Sequence, residues 1–504
     1  MLRQFRAWMV VAAMAAVGIS IAGAAHAADA EEGTIFTLWP LLDYRESPRD
    51  GFSNLAILGP LIKFQHHKDE RITAFRPLFY HTGHERDNSA STDYLYPLAA
   101  SESTPEVSRF QFLQLVQKNT FRKDEPEGVE RDSMFFPFYI SGTSRKYGPY
   151  TSLFPIYGNI YERFWRDEYH FVLFPLYGST VKKGTTSRNY LYPIFNTISG
   201  DRESGFHVWP LYGQAAKDGV YSRRFVLWPL FMQESKGLDT DNPTEKLFLL
   251  PYAATDSPRL TSRTYFWPFV GYSENRSLKE TERDFFWPFW WTVRGEQRRV
   301  DSYLPIYYHG ENKDSTKSWY LWPLLRHDTL ASESFRQERE RVLYFLYSDV
   351  REEWPKDGAS RRRVAFWPLF VYDRDNHGVK TFGFPAPVEP ILNKPGIERS
   401  WAPLWRIYQQ KWADNGDSAV TFLWNLYWHE SRGDAIAYEF YPLLSYRNEP
   451  RVTDVSLLKG LFRYRAAADR KRVSLFWLPF GFSWDVAPPR PKGAQPVPAV
   501  GSGS

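Results

Sequence analysis

The sequence predicts an all-β protein, an antiparallel meander of about 24 repeated strands, and three observations carry that prediction. A core of aromatic, Pro, Leu or Ile or Phe, then often aromatic recurs about every 19 residues from Pro40 to Pro479. Runs rich in aromatic and β-branched residues alternate with polar segments of turn chemistry. Nothing after the first 27 residues keeps a helical apolar period.

The repeat is the primary signal. It is seen at Trp39-Pro40, Phe174-Pro175, Trp209-Pro210, Trp228-Pro229, Trp267-Pro268, Trp287-Pro288, Trp322-Pro323 and Trp367-Pro368. Four units keep the surrounding pattern without the Pro and are centred on Gln114, Phe345, Asn425 and Gly460, which makes 24 units. The residue before the centre is Trp, Tyr or Phe in 16 of them, where the 18% aromatic content would give about four by chance, so the repeat is real. These sixteen aromatic and Pro residues are the repeat core expected to define the fold.

The connections come next. Asp50-Gly51, Asp218-Gly219, Lys236-Gly237, Asp357-Gly358 and Asn415-Gly416 supply turn chemistry between the apolar runs. Loops this short leave no room for crossover helices, so consecutive strands must be antiparallel. Strands of about 8 to 11 residues are expected, each with its Pro at mid-strand. Since Pro cannot donate to a ladder, a bend or bulge at the same height in each strand is implied.

An open sheet of that size exposes edges, so closure as a transmembrane β-barrel is expected; a soluble β-propeller or β-solenoid is the alternative. For the barrel speak an export signal, the strand length, and gaps that are uniform after even-numbered units and variable after odd ones. Arg188, Arg224, Arg263, Arg283 and Arg363, each five residues before a Pro, are possible anchors at the headgroup level. Against a water-filled barrel stand runs such as Tyr265 to Val270, apolar on both faces.

The chain ends frame this domain. Arg3 and Arg6 precede an apolar stretch that closes on Ala25-His26-Ala27, the pattern of a signal peptide, so residues 1–27 are expected to be removed and 28–484 to form the repeat domain. Residues 485–504, with five Pro, read as a disordered tail. The mature balance of 61 basic against 58 acidic residues gives no case for nucleic acid. With no Cys anywhere, disulfides, thiol nucleophiles and Cys-ligated metals are excluded.

No constellation for catalysis emerges, and an enzyme is not expected. His66, His67, His81 and His84, with Asp69 and Glu70, form a His cluster, read as loop polarity instead of a metal site. Asp373, Asp375 and Gly378 imitate a calcium loop, but His377 and Phe384 occupy ligand positions, leaving a turn. Ser456 with Lys459, and Arg432-Gly433-Asp434, are spacings without companions. No cofactor or metal is expected. The function read from the sequence is an outer-membrane β-barrel, structural or passing small or apolar solutes, with membrane lipid as partner. The alternative is a periplasmic or cell-surface repeat protein that binds glycan or a protein through aromatic faces.

Overall fold

The computed structural model describes residues 34–122, 129–144, 146–392, 394–450, 452–478 and 480–485. The expected signal segment and the tail beyond Asp485 lie outside the described residues. The described residues form an antiparallel meander of 46 strands, from Thr34–Leu38 to Phe482–Asp485. They form two compact units: 34–68, Val379–Phe384 and 406–485 make the first, Asp69–Gly378 and Pro385–Trp405 the second.

The all-β antiparallel class agrees with the sequence, but the expected 24 strands with a Pro in the middle of each are overturned. Most repeats supply two strands, mostly of five to eight residues, with the Pro in the turn between them; the units at Pro385 and Pro403 depart from this, Pro403 lying within Ala402–Trp405. Around Pro193, strand Thr185–Tyr190 ends, residues 191–194 reverse the chain, and Phe195–Gly200 returns with Phe195 opposite Tyr190. The Tyr192-Pro193 bond is cis, and the Ile194 N–H donates to the Leu191 carbonyl at 2.8 Å. That is the four-residue turn with Pro at its third position. No ladder bond is asked of the missing Pro N–H there, so the mid-strand bend has no role. Six consecutive apolar residues looked like a strand covered on both faces; they are a turn and the two strand ends it joins.

At the opposite end of each strand pair the turns are polar. Lys183 and Gly184, with φ of 47° and 79°, join Tyr177–Lys182 to Thr185–Tyr190. Two consecutive left-handed residues make the two-residue hairpin whose twist suits antiparallel strands, and Gly takes the second position without steric cost. In consequence, within each unit the Pro turns share one edge of the sheet and the polar turns the other. The expected alternation of ends between successive repeats, and the loop asymmetry built on it, does not hold.

Register is held constant across the sheet. In the second unit Ala74 faces Tyr80, Tyr80 faces Asp93, and Asp93 faces Ala100. The same row of partners continues through Ile140, Ser152, Gly158, Phe171, Gly178 and Asn189. It reaches Val371 by way of Trp319, Arg326, Arg341, Ser348 and Ala365. Members stand three residues after a repeat centre or three to four before it, apart from Ala253, two after Pro251. Where the spacing is four, the spare residue is absorbed locally. Leu95, Leu173, Leu191, Leu227, Leu321 and Leu343 take left-handed backbone with φ of 41° to 50°. At Tyr265 and Phe285 a bulge does the same. The row therefore runs level with the Pro edge, with no accumulated stagger. It also lies on the better covered face, since Ala74, Tyr80, Ile140, Ser152 and Ala365 are all buried.

The first unit brings distant strands together. Leu42–Ser47 is hydrogen-bonded along both edges, and so is Tyr427–Arg432. Their contact must therefore be face to face. Arg45 donates to Glu430 at 2.6 Å and lies 4.7 Å from the Trp428 ring, Asn425 bonds Asp43, and the Trp39 indole donates to the Leu423 carbonyl at 2.8 Å.

The second unit contains two short α-helices, Pro395–Ser400 and Ala402–Trp405, a feature absent from the apolar periodicity because each is one turn or so long. Ile397 and Ala402 are buried. Arg399 pairs with Asp93, Arg76 donates to the Arg399 carbonyl at 2.7 Å, and both guanidinium groups lie over the Tyr80 ring.

Candidate functional site

The Pro turns build the most distinctive surface. Ordinary folding buries aromatic residues, yet at this edge they stay open on both faces and at the tip. Around Pro268 they are Tyr265, Phe266 and Trp267; around Pro288, Phe285, Phe286, Trp287, Phe289 and Trp290, with Phe285 as much as 70% exposed. Trp209, Trp228 and Trp322 are exposed in the same way, and Trp39, Phe174 and Trp367 are partly covered. An apolar patch this long on a protein surface marks a contact with something else. The sixteen repeat-core residues expected from the sequence thus come together along the Pro edges of the units, as rim and not as strand centres.

Neighbouring turns touch, which makes each rim continuous. Trp209 and Trp228 have ring centroids 5.9 Å apart, Phe174 and Tyr192 5.6 Å, and Phe269 stacks on Phe286 at 5.2 Å. Backbone bonds link the turns too: Tyr192 N–H donates to the Pro175 carbonyl at 2.8 Å and Trp228 N–H to Pro210 at 2.7 Å. Several indole N–H groups are satisfied inside the protein. Trp290 donates to the Leu304 carbonyl at 3.2 Å and Trp322 to the Tyr344 hydroxyl at 2.8 Å. That leaves the apolar bodies of the rings outward.

The rim is shallow. Exposure of large apolar side chains is concentrated within three residues of the turn centre on either strand, a depth of about 10 Å at 3.3 Å per residue. Beyond it the exposed side chains turn polar, as in Tyr221–Val226, Arg336–Val342 and Ala359–Phe366, while the covered face keeps buried apolar residues such as Ile72, Ile160, Val293 and Val300. Trp165, 90% exposed, and Phe164, Leu238 and Leu278, all at polar turns, are exceptions.

The five Arg expected as anchors sit on the strands just behind the rim. Arg188 donates to Ser199 at 3.1 Å, Arg224 to Gln233 at 2.9 Å, and Arg263 pairs with Asp256 at 2.8 Å. Arg283 is exposed opposite Thr292. Arg363 is more enclosed, its side chain 13% exposed between Asp373 at 3.2 Å and Glu398 at 3.8 Å. Close by on the covered row, Asp284 has a buried carboxylate oxygen without a partner, and burial pushes its carboxyl above the ordinary range.

The other candidates resolve into structural contacts. His81 bonds Thr92 at 2.9 Å, and His66 and His67 end the strand Ile62–His67. Asp375 accepts the His377 N–H at 2.9 Å in a turn. Lys459 is held by Glu439, and Gly433, with φ of 53°, forms the turn beside Arg432. Sequence reading missed His327, Glu338 and Glu340, whose ligand atoms lie within 4.8 Å of one another. Arg351 already engages Glu338 at 3.5 Å. Their signal was the i, i+2 placement of Glu338 and Glu340 opposite His327.

Compared with known protein families and with curated proteins, the chain matches none.

Proposed function

We propose that the chain is an exported envelope protein that seats its aromatic–proline rim in one leaflet of a lipid surface, without crossing it. The observation that carries this reading is the depth of the rim. An apolar zone of about 10 Å fits the 5 to 10 Å burial of interfacial elements. It is well short of the apolar band of about 25 Å on a membrane-spanning barrel. The level row of strand partners points the same way, because a closed barrel needs tilted, staggered strands. Trp and Tyr at the rim, backed by Arg, are the residue types favoured where hydrocarbon meets headgroups.

Flotation of the purified chain with phospholipid vesicles tests the proposal, read together with quenching of Trp fluorescence by lipids brominated at different acyl depths. Flotation with strongest quenching from the shallow position is expected. A chain that stays in the dense fraction at high lipid and low salt would count against seating. Strongest quenching at the bilayer centre, with heat-modifiable gel migration, would favour the spanning barrel.

A further inference from the structure

The strand Arg336–Val342 reads Arg-Gln-Glu-Arg-Glu-Arg-Val and is close to neutral as a sequence. Because side chains alternate between faces, the sheet separates its charges. Glu338 and Glu340 share one face with His327, while Arg339 and Arg341 share the other with Asp328 and Arg326, their partners across the ladder. Neutrality along the chain therefore gives no neutralisation in space.

On the Arg face the carboxylates are already engaged. Asp328 takes the Arg326 guanidinium at 2.9 Å, and Glu352 accepts from Gln337 at 2.7 Å. Asp349, on the Glu face, is held by Arg362 and Arg351. Neither Arg339 nor Arg341 makes a hydrogen bond or ion pair among the described residues, and the Nε of each is buried without a partner. Arg341 also stands directly opposite Arg326, a like-charge pair that costs stability. Burial, with Arg339 and Arg326 close by, holds the Arg341 guanidinium below its usual value.

Beside this pair Trp319, Trp322, Leu325 and Tyr344 form an apolar wall closed by the Trp322–Tyr344 hydrogen bond, and Arg326 lies 5.3 Å from the Trp319 ring. Trp322 and Tyr344 belong to rim turns, and Arg341 lies on the second rung behind them. Forked cations without an ion-pair partner among the described residues thus stand beside an apolar wall at the height where headgroups would lie if the rim were seated in lipid.

We propose that Arg339 and Arg341 bind the phosphate of an acidic phospholipid whose acyl chain lies against the exposed rim side chains Trp322 and Tyr344. The inference rests on the seating of the rim, and deepens it by naming the lipid class. Phosphate oxygens match the guanidinium fork and supply the counter-charge that neither group finds among the described residues. The same chemistry could come from free phosphate, so the test separates the two sources.

The full chain and its R339Q/R341Q variant are compared on vesicles of phosphatidylcholine alone and with phosphatidylglycerol, and with inorganic phosphate by calorimetry. R336Q, on the opposite face of the same strand, is the control, and circular dichroism reports folding. The native chain and R336Q are expected to prefer the acidic vesicles about tenfold or more, and R339Q/R341Q to lose that preference while keeping its binding to neutral vesicles. An unchanged preference in R339Q/R341Q overturns the site and leaves the rim reading standing. Saturable phosphate binding with no vesicle preference overturns the lipid as its source. Failure of the native chain to bind either vesicle overturns the rim reading, and this site with it.

Discussion

Gly213 lies directly across the ladder from Phe225, and the Phe225 ring fills the space that a β-carbon on residue 213 would need. His207, its partner on the other side, stands 2.6 Å from the same point. Gly213 is therefore required by close approach. Gly213→Ala is expected to destabilise the protein by about 1–3 kcal/mol through overpacking. Gly178, whose nearest neighbours stand 3.8 Å or more from such a carbon, should tolerate Ala. Chemical denaturation of the two variants checks the contrast, and equal losses would refute the packing account.

Leu191 keeps register by taking φ of 48°. Leu191→Gly removes the steric penalty of left-handed backbone and is expected to change stability by less than about 1 kcal/mol. Leu191→Val, β-branched in that conformation, should cost about 1–2 kcal/mol. Thermal melts that ranked Val above Gly would remove the role assigned to this position.

Two carboxylates should respond to pH with opposite sign. Asp349 is pushed up by burial, but the bonds and charges of Arg362 and Arg351 outweigh this and hold it below its usual value. A depressed folded value stabilises above the unfolded value near 3.9 and is lost as the pH falls through the folded one. Asp284 is raised by burial, so its contribution is full below about pH 3.9 and is lost as pH rises through its folded value. At pH 7, Asp284→Asn should therefore stabilise and Asp349→Asn destabilise. Stability curves from pH 3 to 8 for both variants decide it; a destabilised Asp284→Asn would show that the orphaned oxygen is satisfied in solution.

Arg45 ties the first unit together by serving Asp43 at 3.3 Å, Glu430 at 2.6 Å and the Trp428 ring. Arg45→Ala leaves two carboxylates without their cation and is expected to cost about 2 kcal/mol or more. Hydrogen exchange should rise in Tyr427–Arg432 as well as in Leu42–Ser47; a rise confined to one strand would mean that the contact carries little energy.

Much of the strand chemistry was legible in the sequence because it is local. Repeated apolar runs between Asp-Gly and Lys-Gly turns already required short antiparallel connections. The location of Pro was not legible, because Tyr192-Pro193-Ile194-Phe195 is as apolar as a buried strand and turn geometry leaves no mark on hydrophobicity. Leu191 and Leu227 in left-handed backbone are equally silent, since Leu is not a residue that signals positive φ. The Asp43–Asn425 contact joins residues 382 apart, beyond any local pattern. Arg339 and Arg341 could have been found, because strand alternation alone places them together on the face away from Glu338 and Glu340.

The central claim is that the aromatic rim enters lipid to about 10 Å and no further. Depth-resolved quenching on the vesicle-bound chain, repeated with Trp267→Ser, Trp287→Ser and Trp322→Ser together, measures it directly. The rim account predicts strongest quenching from shallow bromines and a weaker partition of the triple variant. Strongest quenching at the bilayer centre, or an unchanged partition in the triple variant, would contradict it.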